Sequence, residues 1–502
     1  MAHADPGGHA WREVRTDRIL LVTDMDGDDA RERAREFEAL ASALADLYTL
    51  VVPRRPGPVR PIRIIDMAGC SDMRARYGEN VGGFMTGSGD FGSERLVVTC
   101  EWGELVGEAN RSLRTEVLVH ELTHDLNARY LFNLPPWLEE GLASYYETLQ
   151  LKEGVAIVGQ PPPMDVRYWK EVSALPSMSR LMAMKYEELS RRGEGDRAGY
   201  FAAWKLTHLL ANGSQDHHRR FRRMLAAFAA GRDKEAAFRE SFGDIADRLA
   251  DEYRSYHLNR QLNIWRLGYR RAAVGGVRSE RVLRPGEAQA LFIELAGSER
   301  RAGPGTMKAA LERAERADAS WPRLLYWRAL VQTRDQTREK KPRPQAEALL
   351  RQYLAREPND AQAWMGLVDV QMDRVVPDWY IGVESLPPSG LQAIEKDVIG
   401  LVRVGSTPSQ LNTIGWYYAL LHRPQTGLNF AMRALEIEPG DGDIWDTLAL
   451  LYFHAGRPAE AVAAQRRAVA LMARDSVSVQ PKVRARLLRY EQAAAAAHAG
   501  HP

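Results

Sequence analysis

The spacing of apolar residues predicts a long amphipathic helix in the first third of the chain. Residues Arg111 to Phe132 contain no glycine or proline, and apolar side chains recur at helical spacing around positions 117 to 122. The pair Pro135-Pro136 then interrupts the pattern, and Pro136 can occupy the first turn of a second helix, where its missing N–H needs no partner. Upstream, the β-branched run 95–101 predicts a strand that leads toward the long helix.

Two histidines lie four residues apart in the predicted long helix, in the sequence His-Glu-Leu-Thr-His. Residues i and i+4 share one helix face, so His120 and His124 can bind one metal ion through their imidazoles. Glu121 lies beside them and can polarise a metal-bound water without being a ligand. The alternative is a surface helix that carries two solvated histidines.

A catalytic zinc ion takes three protein ligands and keeps one position open, so a third ligand must come from elsewhere. Glu140 is the best-placed carboxylate, because it falls one turn into the helix that Pro136 opens. Glu139 is the alternative ligand, and it points about 100° away around that helix.

These segments resemble a known family. His-Glu-Leu-Thr-His followed by Trp-Leu-Glu-Glu-Gly-Leu-Ala-Ser-Tyr resembles the gluzincin zinc metallopeptidases, and within them the bacterial peptidase MA-like group. The opening at Trp11 is similar to the start of those domains, and the resemblance covers about residues 11–260. It implies an α+β metallopeptidase domain with Zn²⁺ held by His120, His124 and Glu140. Glu121 would act as general base and then general acid.

A tyrosine further along matches a second position of the family. The segment 198–210, Ala-Gly-Tyr-Phe-Ala-Ala-Trp-Lys-Leu-Thr-His-Leu-Leu, resembles a gluzincin aminopeptidase helix that carries a tyrosine beside the zinc. Tyr200 takes that position, and the resemblance implies that its hydroxyl stabilises the tetrahedral oxyanion. The alternative is a tyrosine packed in a helical core. Tyr145 and Tyr146 are weaker candidates for the same role.

The chain departs from the aminopeptidase branch in one segment. That branch has Gly-x-Met-Glu-Asn, whose glutamate holds the free amine of the substrate, whereas this chain has Gly-Gly-Phe-Met-Thr-Gly-Ser-Gly at 82–89. We therefore expect an endopeptidase or a specialised hydrolase. In gluzincins an edge strand binds the extended substrate through its backbone, and the strand 95–101 is expected to take that role. The glycine-rich stretch before it would form the lip of the cleft.

Three other motifs have simpler interpretations. The Gly-x-Gly-x-x-Gly pattern at 87–92 precedes a predicted strand, which is the wrong order for a nucleotide-binding loop. The acidic segment 24–29 lacks the spacing of a calcium loop, and it is better interpreted as a turn that caps a helix over 30–48, with calcium as the alternative. The pair His217-His218 lies in a polar stretch that predicts a surface loop.

Composition limits the protein class. The 502 residues are 45% hydrophobic and 27% charged with a net charge of +2, so composition gives no case for nucleic-acid binding. No run approaches the length of a transmembrane helix. The two cysteines, Cys70 and Cys100, could form a disulfide or stay as thiols. The N-terminal residues show no secretory signal, yet relatives of this type are commonly exported, so we expect the cell envelope or secretion, with a cytoplasmic location as the alternative.

The C-terminal part contains an internal repeat. Small and aromatic residues recur 34 positions apart, and so does an Arg-Pro pair, at Arg423-Pro424 and Arg457-Pro458. In addition, tryptophan follows proline by six residues at Pro358/Trp364 and again at Pro439/Trp445. The residues that recur at 34 positions are Leu411/Trp445, Gly415/Ala449, Tyr418/Tyr452, Gly427/Ala461 and Ala434/Ala468. This period resembles tetratricopeptide repeats, which stack antiparallel helix pairs and bind peptides or proteins. Between them, 375–406 is expected to be a turn-rich insertion.

We therefore predict a metallopeptidase domain at 1–260, a helical linker at 261–305 and an all-α repeat domain at 306–502. The predicted function is a zinc-dependent endopeptidase acting on peptide or protein substrates, with a possible protein partner on the repeats. The alternative is a catalytically idle scaffold that acts through its repeats, and another interpretation of the repeats is a helical cap that only stabilises the peptidase domain.

Overall fold

The computed structural model describes residues 10–51, 61–69, 83–87, 95–100, 108–132, 134–161, 175–189, 196–256, 262–268, 276–298, 304–335, 344–376, 388–472 and 480–499. The chain divides into two compact units. Unit 1 consists mainly of Arg12–Met85 and Arg95–Arg281, and unit 2 mainly of Val282–Pro502.

Unit 1 is an α+β structure. Its strands and helices in chain order are β1 (Arg12–Arg15), β2 (Ile19–Thr23), α1 (Gly27–Val51), β3 (Ile62–Met67), β4 (Gly83–Gly87), β5 (Arg95–Cys100), α2 (Glu108–Tyr130), α3 (Pro136–Glu147), β6 (Gln150–Lys152), β7 (Val155–Val158), α4 (Met178–Ala183), α5 (Tyr186–Leu189), α6 (Asp196–Asn212), α7 (Gln215–Ala229), α8 (Lys234–Phe242), α9 (Ala246–Ser255), β8 (Trp265–Gly268) and β9 (Ser279–Val282).

The larger sheet has the strand order β4-β5-β3-β2-β1-β9, and β6-β7-β8 form a smaller one. Strands β2, β3 and β5 run parallel, whereas β1 is antiparallel to β2. The parallel strands are nearly continuous apolar runs, which is typical of strands covered on both faces. Ile64 and Val97 are fully buried, and they belong to the same core as Phe37 of α1 and Leu118 of α2.

The strand predicted at 95–101 forms as β5, but it does not lie at the edge of the sheet. The glycine-rich segment expected to be a cleft lip supplies β4 instead, and β4 lies outside β5. The prediction of β5 as the substrate-binding edge strand is therefore wrong. Glycine lowers β propensity, which is why the sequence pattern did not indicate β4.

The acidic segment at 24–29 begins α1, as predicted. The Asp26 side chain accepts a hydrogen bond from the backbone N–H of Asp29 at 3.3 Å, and the Asp26 carbonyl accepts one from Ala30 at 2.9 Å. These bonds satisfy amides in the first turn that have no partner within the helix. Asp24 instead accepts a bond from the amide of Ala68, so it ties the start of α1 to the end of β3. The segment thus has a structural role in the fold.

The region predicted as a helical linker has a different structure. Within 261–305, β8 pairs with β7 and β9 joins the larger sheet, and only the later part is helical. Short strands at an edge have too few residues to show a period of two, so the pattern could not reveal them. The predicted boundary near residue 260 differs from the division between the units, which falls at Arg281 and Val282.

Unit 2 is helical in its described part. Its helices are α10 (Pro285–Ser298), α11 (Pro304–Ala317), α12 (Leu324–Asp335), α13 (Pro344–Leu354), α14 (Ala361–Val375), α15 (Pro388–Gln392), α16 (Glu395–Val404), α17 (Pro408–Leu420), α18 (Pro424–Ile437), α19 (Gly442–His454), α20 (Pro458–Leu471) and α21 (Gln480–Ala499). The expected turn-rich insertion at 375–406 contains α15 and α16, and its residues 377–387 lie outside the described residues.

The repeat predicted from sequence has a structural counterpart in unit 2. The indole of Trp364 donates to the carbonyl of Pro358 at 2.8 Å, and that of Trp445 donates to Pro439 at 2.9 Å. Pro424 and Pro458 both occupy the first turn of a helix. Small residues let α17 and α18 pack closely, since a Cβ added at Gly427 would lie 3.0 Å from the Gly415 carbonyl. These features are those of tetratricopeptide-like helix pairs.

No described helix is both long enough and apolar enough to cross a membrane. Cys100, at the end of β5, is buried and disulfide-bonded, and Cys70 lies outside the described residues. The pair His217-His218, predicted as a surface loop, lies in the first turn of α7, where Ser214 caps the helix by accepting from the His217 amide. His217 is buried there, so the loop prediction is wrong.

Candidate metal centre

Helix α2 places the two histidines on one face. Leu118, Val119 and Leu122 are buried in the unit 1 core and fix the orientation of the helix about its axis. The imidazoles of His120 and His124 lie on the half-buried side, with their ring centroids 4.9 Å apart. The spacing of four residues therefore produces the shared face that it predicts.

Helix α3 supplies the carboxylate. Pro135 has extended backbone angles of φ −67° and ψ 147°, and Pro136 opens the helix at its first turn, as expected. Glu140 then lies just over one turn into the helix with only 1% of its surface exposed. Helices α3 and α6 approach each other closely at the next residue, because a Cβ added at Gly141 would lie only 2.7 Å from the carbonyl oxygen of Ala203 in α6. This close packing holds Glu140 in its place.

Three ligand atoms converge at this point. The Nε2 atoms of His120 and His124 are 3.2 Å apart, and the Oε2 atom of Glu140 lies 3.4 Å from the first and 3.5 Å from the second. In a tetrahedral zinc site with bonds of about 2.0 to 2.1 Å, neighbouring ligand atoms lie about 3.3 to 3.4 Å apart. The triangle of one carboxylate and two imidazole nitrogens thus fits a zinc ion, with a fourth position left for water or substrate.

Two further glutamates face the outer nitrogens of the histidines. Glu147 Oε2 lies 2.7 Å from His120 Nδ1, and Glu139 Oε1 lies 3.8 Å from His124 Nδ1. The shorter contact is a hydrogen bond, so the Nδ1–H of His120 donates to Glu147 and the Nε2 lone pair is left for a metal. Glu139, the alternative third ligand, is on the outer side of His124, so Glu140 is the carboxylate that shares a face with both Nε2 atoms.

The two histidines and Glu140 each favour the charged form of the other. Burial opposes protonation of His120, but its bonds to Glu140 and Glu147 raise its pKa well above the ordinary value. Burial would raise the pKa of Glu140, yet His124 and His120 hold it far below its usual range. Burial raises the pKa of Glu147. Glu140 is therefore ionised at neutral pH, and a metal that binds here must displace protons from the histidines.

Glu121 and one unexpected tyrosine complete the cluster. Glu121 is half-buried, and its carboxylate is close enough to contribute to the raised pKa values of both His124 and Tyr186. Tyr186 lies at the start of α5, and burial of its hydroxyl together with the nearby negative charges of Glu140 and Glu139 raises its pKa. About half of the residue is exposed, at 51%. Tyr186 therefore places a phenol beside the candidate metal position.

Tyr200 lies in α6, the helix that contacts α3 at Gly141. It precedes Ala203 and Thr207 by three and seven residues, so all three share the helix face toward Gly141 and the neighbouring Glu140. Tyr200 itself is half-buried. Its proposed role at the oxyanion stays a prediction.

Tyr145 and Tyr146 lie on the other side of α3. They are five and six residues after Glu140, which places them about 140° and 240° around the helix from it. Tyr145 donates to the side-chain carbonyl of Asn212 at 2.8 Å. The arrangement does not bring these two tyrosines to the candidate site.

Sequence reasoning missed Glu147 and Tyr186. A signal existed for Glu147, because it follows Glu140 by seven residues and so lies on nearly the same face of α3. No periodic signal pointed to Tyr186, since α5 has only four residues and its position depends on the surrounding loops.

The chain is similar to a thermophilic TPR protein of Thermus thermophilus known from its crystal structure, with a TM-score of 0.29 and 22% identity. That match covers 42% of this chain and 96% of the other. No protein-family model matches the chain, and no curated protein matches it.

Proposed function

We propose that this protein is a zinc-dependent endopeptidase that hydrolyses peptide bonds in protein substrates. The observation that carries the proposal is the triangle formed by His120 Nε2, His124 Nε2 and Glu140 Oε2, with edges of 3.2 to 3.5 Å. A buried ionised carboxylate that shares a face with two imidazole nitrogens on the neighbouring helix is an arrangement that a bound cation would stabilise. The residue types are those of a zinc site that leaves one position open.

When bound, a zinc ion would act as a Lewis acid on the scissile carbonyl and lower the pKa of a water molecule toward neutrality. Glu121 accepts the proton of the attacking water and passes it to the leaving nitrogen. Glu147 holds the ring of His120 in one tautomer, and Glu140 contributes negative charge. Together these residues orient the water and move one proton from it to the amine product.

A hydroxyl donor is also needed where negative charge develops on the carbonyl oxygen. Tyr200 is one candidate, from its helix face beside Gly141. Tyr186 is the second, because it lies close enough to Glu140 for that carboxylate to raise its pKa. Replacing the oxyanion donor by Phe should reduce turnover by about 10² to 10³ with little change in substrate binding. If Tyr200→Phe has the same kinetics as wild type and Tyr186→Phe loses turnover, Tyr186 is the oxyanion donor.

The main experiment measures zinc content and cleavage of unfolded casein together. Wild type should bind one zinc and cleave casein, His124→Ala should lose the metal, and Glu121→Gln should keep the metal and lose about 10² to 10⁴ in turnover. Glu240→Gln, an exposed change of the same type in α8, is the matched control and should behave as wild type. Wild-type protein that binds zinc but cleaves nothing would favour the idle scaffold instead.

We further propose that the helix pairs of unit 2 bind the protein substrate or a partner protein, because stacked pairs of this kind present an extended surface. A chain that ends after Val282 keeps β8 and β9, which belong to the two sheets described above. It should cleave short peptides normally and lose efficiency on casein through a raised KM. Equal losses on both substrates would contradict substrate recruitment by the repeats.

A further inference from the structure

Unit 1 contains a cavity on the side of α3 that faces away from the candidate metal ligands. Its volume is about 370 Å³, and residues of α1, α3, β7, the end of α6, α7 and β8 line it. Leu142 and Tyr146 of α3 form part of its wall. They lie about 200° and 240° around the helix from Glu140, so the cavity and the candidate metal centre occupy opposite faces.

The walls of the cavity are mainly apolar. Leu47, Val158, Phe221 and Leu267 line it from four different elements. Val158 and Phe221 are almost fully buried and belong to the core of unit 1. A cavity of this volume lies within the range of about 300 to 1,000 Å³ that is usual for small-molecule sites.

Most polar groups of the lining already have partners inside the protein. The Tyr145 hydroxyl and the Trp265 indole both donate to the side-chain carbonyl of Asn212, at 2.8 and 3.0 Å. Nδ1 of His218 lies 3.2 Å from the carbonyl of Ala211, so it is the protonated nitrogen. These groups have little hydrogen-bonding capacity left for a ligand with many polar atoms.

Arg222 differs from its neighbours on α7. Arg219 and Arg220 pair with Asp216 at 3.1 and 2.8 Å. Arg222 lines the cavity and is exposed, and it forms no hydrogen bond or ion pair with any other residue that the structure describes. The guanidinium of Arg222, which has no partner among the described residues, therefore lies where the apolar cavity opens to solvent.

We propose that this cavity binds a medium-chain fatty acid, with the hydrocarbon chain in the cavity and the carboxylate at Arg222. A peptide would bring several amide groups into a lining whose donors are already used, and unpaired buried amides are costly. A neutral apolar ligand would leave the guanidinium without a partner. One apolar chain with one anionic head matches both features, and this site does not depend on peptide hydrolysis.

The test uses the full chain and isothermal titration with decanoate and with decanol at pH 7. Wild type should bind both, and decanoate more tightly. Arg222→Gln should weaken decanoate about tenfold, as expected for the loss of one charge-assisted hydrogen bond, and leave decanol unchanged. Arg223→Gln is the matched control, because Arg223 is the next exposed arginine but does not line the cavity, and it should change neither affinity.

A second variant tests the cavity itself. Ala211→Met adds volume to a wall residue and should weaken decanoate and decanol alike. Failure of wild type to bind decanoate would overturn the proposal, and so would equal losses in the Arg222 and Arg223 variants. If Ala211→Met does not fold, the comparison of the two arginine variants still decides.

Discussion

Replacing Glu147 by Gln should weaken zinc binding while leaving the three ligands in place. Glu147 accepts a 2.7 Å hydrogen bond from His120 Nδ1. The amide of Gln can still accept this bond, but it carries no charge. We expect the ring of His120 to keep its orientation and to become a weaker ligand, because the outer carboxylate of a carboxylate–histidine pair increases the basicity of the ligating nitrogen.

The size of the effect follows from the contact. A hydrogen bond to a charged group is worth about 1.5 to 3 kcal/mol net, and a neutral one about 0.5 to 1.5 kcal/mol. The midpoints of these ranges differ by about 1.25 kcal/mol, which corresponds to about an eightfold loss in zinc affinity. Glu139→Gln removes one negative charge on the same helix, but its carboxylate is 3.8 Å from His124 Nδ1, beyond hydrogen-bond distance. We expect that variant to lose less than about threefold.

The assay is a competition titration at pH 7 against a chromophoric zinc chelator, with thermal unfolding of the metal-free proteins as a control for folding. Both variants lose one carboxylate charge, so the ratio of their dissociation constants isolates the hydrogen bond. Equal dissociation constants for Glu147→Gln and Glu139→Gln would show that only net charge matters and would refute the positioning role of Glu147.

Three further predictions concern stability. Burial lowers the pKa of His208 to about 4. Because only the unfolded chain takes up this proton between pH 6.5 and 4, the free energy of unfolding should fall by up to about 3 kcal/mol as pH drops through that window, and a denaturant titration of His208→Gln should show a smaller fall. Gly141→Ala should lower the unfolding free energy of unit 1 by about 1 to 3 kcal/mol and weaken zinc binding, because the new methyl group would displace α3 from α6. Denaturation and zinc titration measure the two effects, and unchanged values would refute the close approach of the helices. Arg486 and Asp446 form a 2.5 Å ion pair, both almost fully buried, so Arg486→Ala should destabilise unit 2 by about 3 to 5 kcal/mol in thermal unfolding, and a loss below about 1 kcal/mol would contradict this.

The inner part of the candidate site could be predicted from the sequence because helix geometry is local. A spacing of four residues places His120 and His124 on one face whatever surrounds them. Pro136 marks the start of α3, so the sequence placed Glu140 just over one turn into that helix. The two segments in which tryptophan follows proline by six residues likewise form equivalent contacts, the indole bonds of Trp364 and Trp445.

The rest depended on contacts between elements that are distant in sequence. The partition of roles between Glu139, Glu140 and Glu147 depends on how α3 crosses α2, and a close contact between Gly141 and α6 helps to fix that crossing. Tyr186 comes near Glu140 from a four-residue helix, which is too short to carry a periodic pattern. The sequence alone therefore determined which residues share a helix face, since that follows from 3.6 residues per turn. Only the tertiary structure decided which face meets which neighbour, because packing between elements depends on side-chain shape and loop path rather than on periodicity.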